Sequence, residues 1–154
     1  MFDCPSESRR GLSIDPLTGL PDRRGLAAWG ERHVGLRHVS VYVVVPTGPA
    51  GPEQSLVAAA SILRASVRET DLVARHADDA LALVALGVNA TLAEQIRRRL
   101  ETELAVRDGR SATDIPLTVS IGMASHVDQG PASLDNLLRR ADALCRARVL
   151  AKTG

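Results

Sequence analysis

The sequence predicts a mixed domain of the α/β or α+β class, a sheet covered by helices. Two observations carry this. Runs rich in β-branched residues alternate along the chain with segments whose apolar residues recur at helical spacing. Stretches rich in Gly, Pro and Asp punctuate the boundaries between them. A length of 154 residues fits one domain with a single core.

Residues 1–14 are polar and irregular and are expected to form a flexible lead-in to a domain spanning 15–154. DPLTGLPDRR, residues 15–24, is a succession of turns, and at its end Asp22 is placed to cap a helix from Arg23 to His33. HVSVYVVV, residues 38–45, suits a strand buried on both faces. PTGPAGP, residues 46–52, holds three prolines and two glycines, so it is expected neither to prolong that strand nor to form a helix. A helix follows from Glu53 to Val67, with Leu56, Val57, Ala60, Leu63 and Val67 at helical spacing. Asp71–Arg75 and Ala80–Leu86 read as short strands about a turn at His76–Asp79. Thr91–Ala105 is a second long helix, with Leu92, Ile96, Leu100 and Leu104 on one face. IPLTVSIGMAS, residues 115–125, is a further β segment. Ser133 to Val149 closes the chain as a helix, with Leu134, Leu137, Leu138, Ala141 and Leu144 inward. No internal repeat is present.

Composition removes several function classes. Hydrophobic residues make up 45% and charged residues 24%, ordinary globular usage. Phe2, Trp29 and Tyr42 are the only aromatics, so single-stranded nucleic acid finds no stacking platform. Lys plus Arg number 19 against 18 for Asp plus Glu, and a net charge of +1 supplies no global field for nucleic acid or an acidic membrane. Neither is an expected partner. Cys4 and Cys145 suggest no disulfide framework and no zinc site, so a reducing cytoplasm is expected. MFDCPSESRR lacks the apolar region of a secretory or lipoprotein signal, and no run of roughly 18 apolar residues suggests a membrane span. His33, His38, His76 and His126 show no metal spacing and are expected on the surface or in turns. Cys145 is expected to be a small core residue.

Four segments, in this order, carry a family resemblance. DPLTGLPDRR matches an opening signature Asp-x-Leu-Thr-Gly-Leu-Pro-Asn-Arg, with Asp22 where Asn is usual. VRETDLVARHADDALALV, residues 67–84, resembles the stretch that leads into and through a signature loop. LTVSIGMAS, residues 117–125, resembles a Thr-Val-Ser-Ile-Gly strand. LLRRADALCRAR is similar to an Ala-Asp-x-Ala-Leu-Tyr-x-Ala-Lys ending, one residue short and with Cys145 in the Tyr place. Together these resemble the GGDEF family of diguanylate cyclases over nearly all of the chain after residue 14. The resemblance implies a central, mostly antiparallel sheet flanked by helices, as in nucleotide cyclases and polymerase palms.

The resemblance also implies a degenerate member. Active members join two GTP molecules, and the chemistry needs carboxylate-held metal ions. The family takes a metal-binding aspartate from the end of its first strand and reads guanine with an Asn and an Asp on the next helix. Here Arg32 through Pro52 contains no Asp, Glu or Asn. The strand-to-helix connection is also about ten residues shorter than the family pattern. In the signature loop, aligned on Arg75, Ala77 and Asp78 stand for the two glycines and Asp79 keeps the third position. Ala80 replaces the catalytic acid and Leu81 the Phe. Glycines there would let backbone N–H groups approach phosphate, whereas Asp78 opposes it. Sliding the alignment by one residue makes Asp78 and Asp79 the acidic pair but restores no glycine; they read best as a solvated turn. Arg148 replaces the lysine that assists with the phosphates. No catalytic residue, no metal site and no cofactor are therefore expected.

Five residues separate the loop from Arg68-Glu69-Thr70-Asp71. At this offset the family carries an inhibitory Arg-x-x-Asp site for cyclic di-GMP. Arg68 offers a planar fork to a guanine edge or phosphate, and Asp71 can accept from guanine N–H groups. The family's second arginine comes from the helix after the loop, where Arg97, Arg98 and Arg99 stand and Arg99 fits best by offset. The plainer reading sets Arg68 at a helix C-terminus, Asp71 paired with it, and the arginine triplet on a solvated face. Two functions follow: a catalytically inactive receptor for cyclic di-GMP, or a ligand-free module that pairs with itself or with another signalling protein.

Overall fold

The computed structural model describes residues 11–33, 38–106, 117–126 and 133–153. Its elements in chain order are α1 (Arg23–His33), β1 (Val39–Thr47), α2 (Pro52–Ser66), β2 (Leu72–Ala77), β3 (Ala80–Leu86), α3 (Ala90–Val106), β4 (Thr118–His126) and α4 (Leu134–Thr153). The strands form one sheet in the order β2-β3-β1-β4, and each neighbouring pair is antiparallel. From β1 to β4 this is a βαββαβ chain with a split βαβ arrangement. The expected class, with a mostly antiparallel sheet between helices, is the one observed.

Alternation along the strands sorts the core into two layers. One face presents Tyr42, Val44, Val73, Leu81, Leu83 and Ile121 to α2 and α3, which contribute Leu56, Leu63, Ile96, Leu100 and Leu104. The other presents Val39, Val41, Val43, Leu72, Ala74 and Val84 to α1 and α4, which contribute Leu26, Trp29, Leu137, Ala141 and Cys145. Tyr42 is fully buried, and its hydroxyl donates to the Ala93 carbonyl at 2.9 Å. Gly122 sets how near α4 lies to β4. A Cβ there would stand 2.0 Å from the Ala141 carbonyl oxygen and 2.4 Å from the Cys145 nitrogen.

Several expectations need correction. Leu12 is buried in the second layer, and Ser13 bonds Asp22 through its carbonyl and hydroxyl, so ordered structure begins before Asp15. Residues 1–10 of the expected lead-in lie outside the described residues. β1 continues through Pro46 and Thr47, paired with Val119 and Thr118 of β4, whereas its pairing with β3 ends at Val44. A residue without an N–H is tolerated where the strand has a partner on one side only. Pro52 opens α2, at a position whose N–H has no helical partner to lose. Leu92 and Leu144 are exposed, and the inward places belong to Ala93 and Cys145. His76 is no surface or turn residue: it is a buried residue of β2. The start of the 115–125 segment lies outside the described residues.

Candidate functional site

The strand register separates two candidate regions. Val39 faces Leu86 and Leu72 faces Val84 at one end of the sheet, while Val44 faces Leu81 and Ala77 faces Ala80 towards the other. The first end carries Arg68 and Asp71. The second carries the β2–β3 turn.

At the first end α2 stops at Ser66, and Val67 takes an extended conformation, which turns the chain back toward β2. Asp71 N–H donates to the Arg68 carbonyl at 3.0 Å, and Arg68 N–H donates to Asp71 Oδ2 at 3.1 Å. The guanidinium then closes on the same carboxylate, with Nε to Oδ2 at 3.1 Å and Nη2 to Oδ1 at 2.9 Å. Nη2 also donates to the Leu86 carbonyl at 2.9 Å, tying the turn to the end of β3. Asp71 holds the Arg68 guanidinium above its ordinary pKa. The carboxylate is 5% exposed and the arginine 47%, so the pair shows its cationic side to solvent.

Arg99 reaches the same place from α3, where its Nη2 donates to the Ser66 carbonyl at 3.1 Å. Its neighbours are engaged elsewhere: Arg97 pairs with Glu94 and Glu101, and Arg98 with Glu94. Thus Arg68, Asp71 and Arg99 are brought together at the C-terminus of α2, where cations are favoured. Beside Arg68 opens a groove of about 400 Å³, lined among others by Leu20, Arg64, Val67 and Val73. Arg64 donates to the Thr18 carbonyl at 2.6 Å, a role that no pattern in the sequence announces.

At the second end Asp78 and Asp79 form the tip between β2 and β3 and are exposed, while Ala80 and Leu81 are fully buried. Pairing shifts by a bulge between Arg75 and Ala77. Arg75 clasps the turn from below, donating to the Ala77 carbonyl at 3.2 Å and the Asp78 carbonyl at 2.9 Å. Its Nη1 meets Asp15 Oδ1 at 3.0 Å, and Thr18 donates to Oδ2 from its N–H at 3.0 Å and its hydroxyl at 2.8 Å. Burial pushes the Asp15 carboxyl up, but the Thr18 and Arg75 bonds outweigh it and leave it below its ordinary value. Asp15 and Thr18 thus fix the opening turns.

From above, Arg146 of α4 grips Asp79 with bonds of 2.6 and 2.9 Å. This holds the Asp79 carboxyl below and the Arg146 guanidinium above their ordinary ranges. Arg146 Nε also donates to Asp142 Oδ1 at 3.3 Å, and the same oxygen lies 3.2 Å from His76 Nε2. Burial lowers the His76 pKa, and Asp142 only partly restores it. Arg148 stands 3.8 Å from Glu101 on α3. Among the described residues no cluster of three or more His, Cys, Asp or Glu is placed to hold a metal ion.

The network of His76, Asp142 and Arg146 was missed from sequence, though two signals pointed to it. His76 follows Leu72 and Ala74 at period two, on the strand face that α1 and α4 cover. Asp142 and Arg146 stand four apart on a helix, the spacing of a neighbouring pair.

Solved structures of low sequence identity share the fold. The GGDEF domain of FimX from Pseudomonas aeruginosa superposes with a TM-score of 0.72 at 23% identity, covering 92% of this chain and 95% of that one. The GGDEF domain of DgcB from Caulobacter crescentus, solved in complex with c-di-GMP, gives 0.69 at 20% identity, over 94% and 91%. Diguanylate cyclase SiaD from Pseudomonas aeruginosa, solved with its activator SiaC, gives 0.68 at 23% identity over 90% of this chain, which spans only 58% of SiaD's length. No curated protein matches the chain. No helix among the described residues is long and apolar enough to cross a membrane. The family model for the diguanylate cyclase GGDEF domain matches residues 47–152, from the last residue of β1 to the penultimate residue of α4. By that match over more than half of its length, the chain belongs to the diguanylate cyclase GGDEF domain family.

Proposed function

We propose that this is a catalytically inactive GGDEF domain that binds cyclic di-GMP at the end of α2, through Arg68, Asp71 and Arg99. The convergence of these three residues on one partly exposed surface carries the proposal. Arg68 leaves Nη1 outside its bonds to Asp71 and Leu86, and an outward guanidinium suits a phosphate or a guanine edge. The c-di-GMP complex of the similar DgcB domain supports the choice of ligand.

Inactivity is supported by the residues at the opposite end. Ala80 and Leu81 stand in the aligned loop, the β1 end is Val45-Pro46-Thr47, and the Asp79 carboxylate is occupied by Arg146. Two-metal phosphoryl chemistry needs carboxylates directed at solvent-accessible cations. With no catalytic residue and no magnesium site, turnover of GTP is not expected.

Calorimetric titration of cyclic di-GMP into the protein, with Arg68→Ala and Arg99→Ala in parallel, tests the receptor. Micromolar or tighter binding weakened by both substitutions is expected; binding that ignores both would refute this site. Incubation with GTP and magnesium tests inactivity, and formation of product would overturn it.

One observation favours a second reading. Arg68 and Asp71 already satisfy each other, so the pair is complete without a ligand. A domain acting only by pairing with itself or another signalling protein would keep them for structure. SiaD's complex with SiaC supports that class of partner. Under this reading no heat accompanies the titration, and assembly survives the Arg99→Ala change.

A further inference from the structure

The polar network over the β2–β3 turn belongs to neither end's proposed chemistry. We propose that His76, Asp142, Arg146 and Asp79 form a proton-operated latch that fastens the turn to α4 while His76 is neutral.

The chain of contacts is continuous. His76 Nε2 and Arg146 Nε share Asp142 Oδ1, at 3.2 and 3.3 Å, and the far side of the guanidinium holds both Asp79 oxygens. Arg146 is thereby the cross-piece and Asp142 its anchor. The imidazole is buried, and its Nδ1 has no hydrogen-bond partner among the described residues. In the neutral ring Nε2–H donates to Asp142 and Nδ1 is a bare lone pair, a modest loss. A second proton on Nδ1 creates a buried donor with no acceptor, which is far costlier.

The charges around the ring are mixed. Asp142 of α4 and Asp79 of the turn attract an imidazolium, whereas Arg146 of α4 and Arg23 of α1 repel it. The neighbouring strand β3 is wholly apolar and adds no charge. To solvate the new N–H the ring must leave its place between β2 and α4. Asp142 then loses a partner, and the carboxylate that aims Arg146 at Asp79 is no longer held from the strand side. The outer bond is exposed, with Arg146 36% and Asp79 51% accessible, so little else holds it. Acid therefore releases the turn from α4, while the Arg75 clasp and the sheet pairing below stay in place.

Hydrogen exchange of the turn amides of Asp78 and Asp79, read residue by residue and corrected for intrinsic rates, tests the latch. Exchange is expected to quicken by about tenfold as pH falls below the ordinary histidine value of 6.5, because burial holds His76 under that value. His76→Gln, which donates but does not titrate, should remove that step. Arg146→Ala should show the faster exchange above and below that value. A step that persists in His76→Gln, or slow exchange in Arg146→Ala at the higher pH, would overturn the proposal. So would a wild-type protein with no step.

Discussion

The two ends of the sheet each hold an arginine closed by two bonds on an aspartate, side-on at Arg68 and end-on at Arg146, in opposite surroundings. At the α2 end the carboxylate of Asp71 is 5% exposed and Arg68 shields it; at the turn Asp79 is 51% exposed and Arg146 reaches it from another element. A buried carboxylate stripped of its partner keeps its full desolvation cost, whereas an exposed one is rescued by water. The first pair is therefore a fixture of the fold, with the outer side of its guanidinium in solvent. The second is a fastening that can be undone at small cost. Similar distances do not make equivalent salt bridges.

That contrast is sharpened first by Arg68→Ala. Depriving the buried Asp71 carboxylate of its guanidinium should cost about 2 kcal/mol of stability, measured by urea denaturation. A loss below about 0.5 kcal/mol, the usual size of a surface change, would erase the distinction between the ends. Next comes Arg99→Ala. Its side chain is exposed and bonds one carbonyl, so stability should hold while affinity for cyclic di-GMP falls by about tenfold or more. Arg146→Ala should cost less than about 1 kcal/mol, because the exposed pair is already well solvated. If it costs as much as Arg68→Ala, the turn is no loose fastening. The smallest effect lies on the acid limb. Asp15 is held below its ordinary value of 3.8, so its contribution is complete above that value and is lost as pH falls through the folded-state value. Asp15→Asn should flatten the acid dependence of stability in this window, and an unchanged slope would remove Asp15 from the clasp.

Much of the fold was legible because local signals agreed with tertiary demands. α1 spans Arg23–His33 as expected, and Asp22 bonds the Gly25 N–H at its start. The strand pair around Asp78-Asp79 followed from its turn residues and apolar runs. The departures at Leu92, Leu144 and His76 share one cause: polarity alone fixes neither size nor position. Leucines at 92 and 144 look like core, but Ala93 and Cys145 take the inward places, and at Cys145 the close approach of α4 over Gly122 requires a small side chain. His76 was placed outside because histidine is polar, against the period-two pattern that put it inside.

The candidate site divided similarly. Its members came from offsets in a family pattern, and the structure brings Arg68, Asp71 and Arg99 to one place. Their mutual engagement was open in the sequence, since spacing cannot tell whether an arginine faces its aspartate or the solvent. Arg146 was unread because its partner Asp79 is distant in the chain and meets it only across the packed layers.

We propose that cyclic di-GMP binds at the α2 end and that the β2–β3 end takes no nucleotide. Amide chemical-shift mapping of cyclic di-GMP binding by NMR tests it most directly. The account predicts perturbations at residues 66–71 and around Arg99, with 78–81 unmoved. Perturbations centred on the β2–β3 turn, or none at saturating ligand, would contradict it.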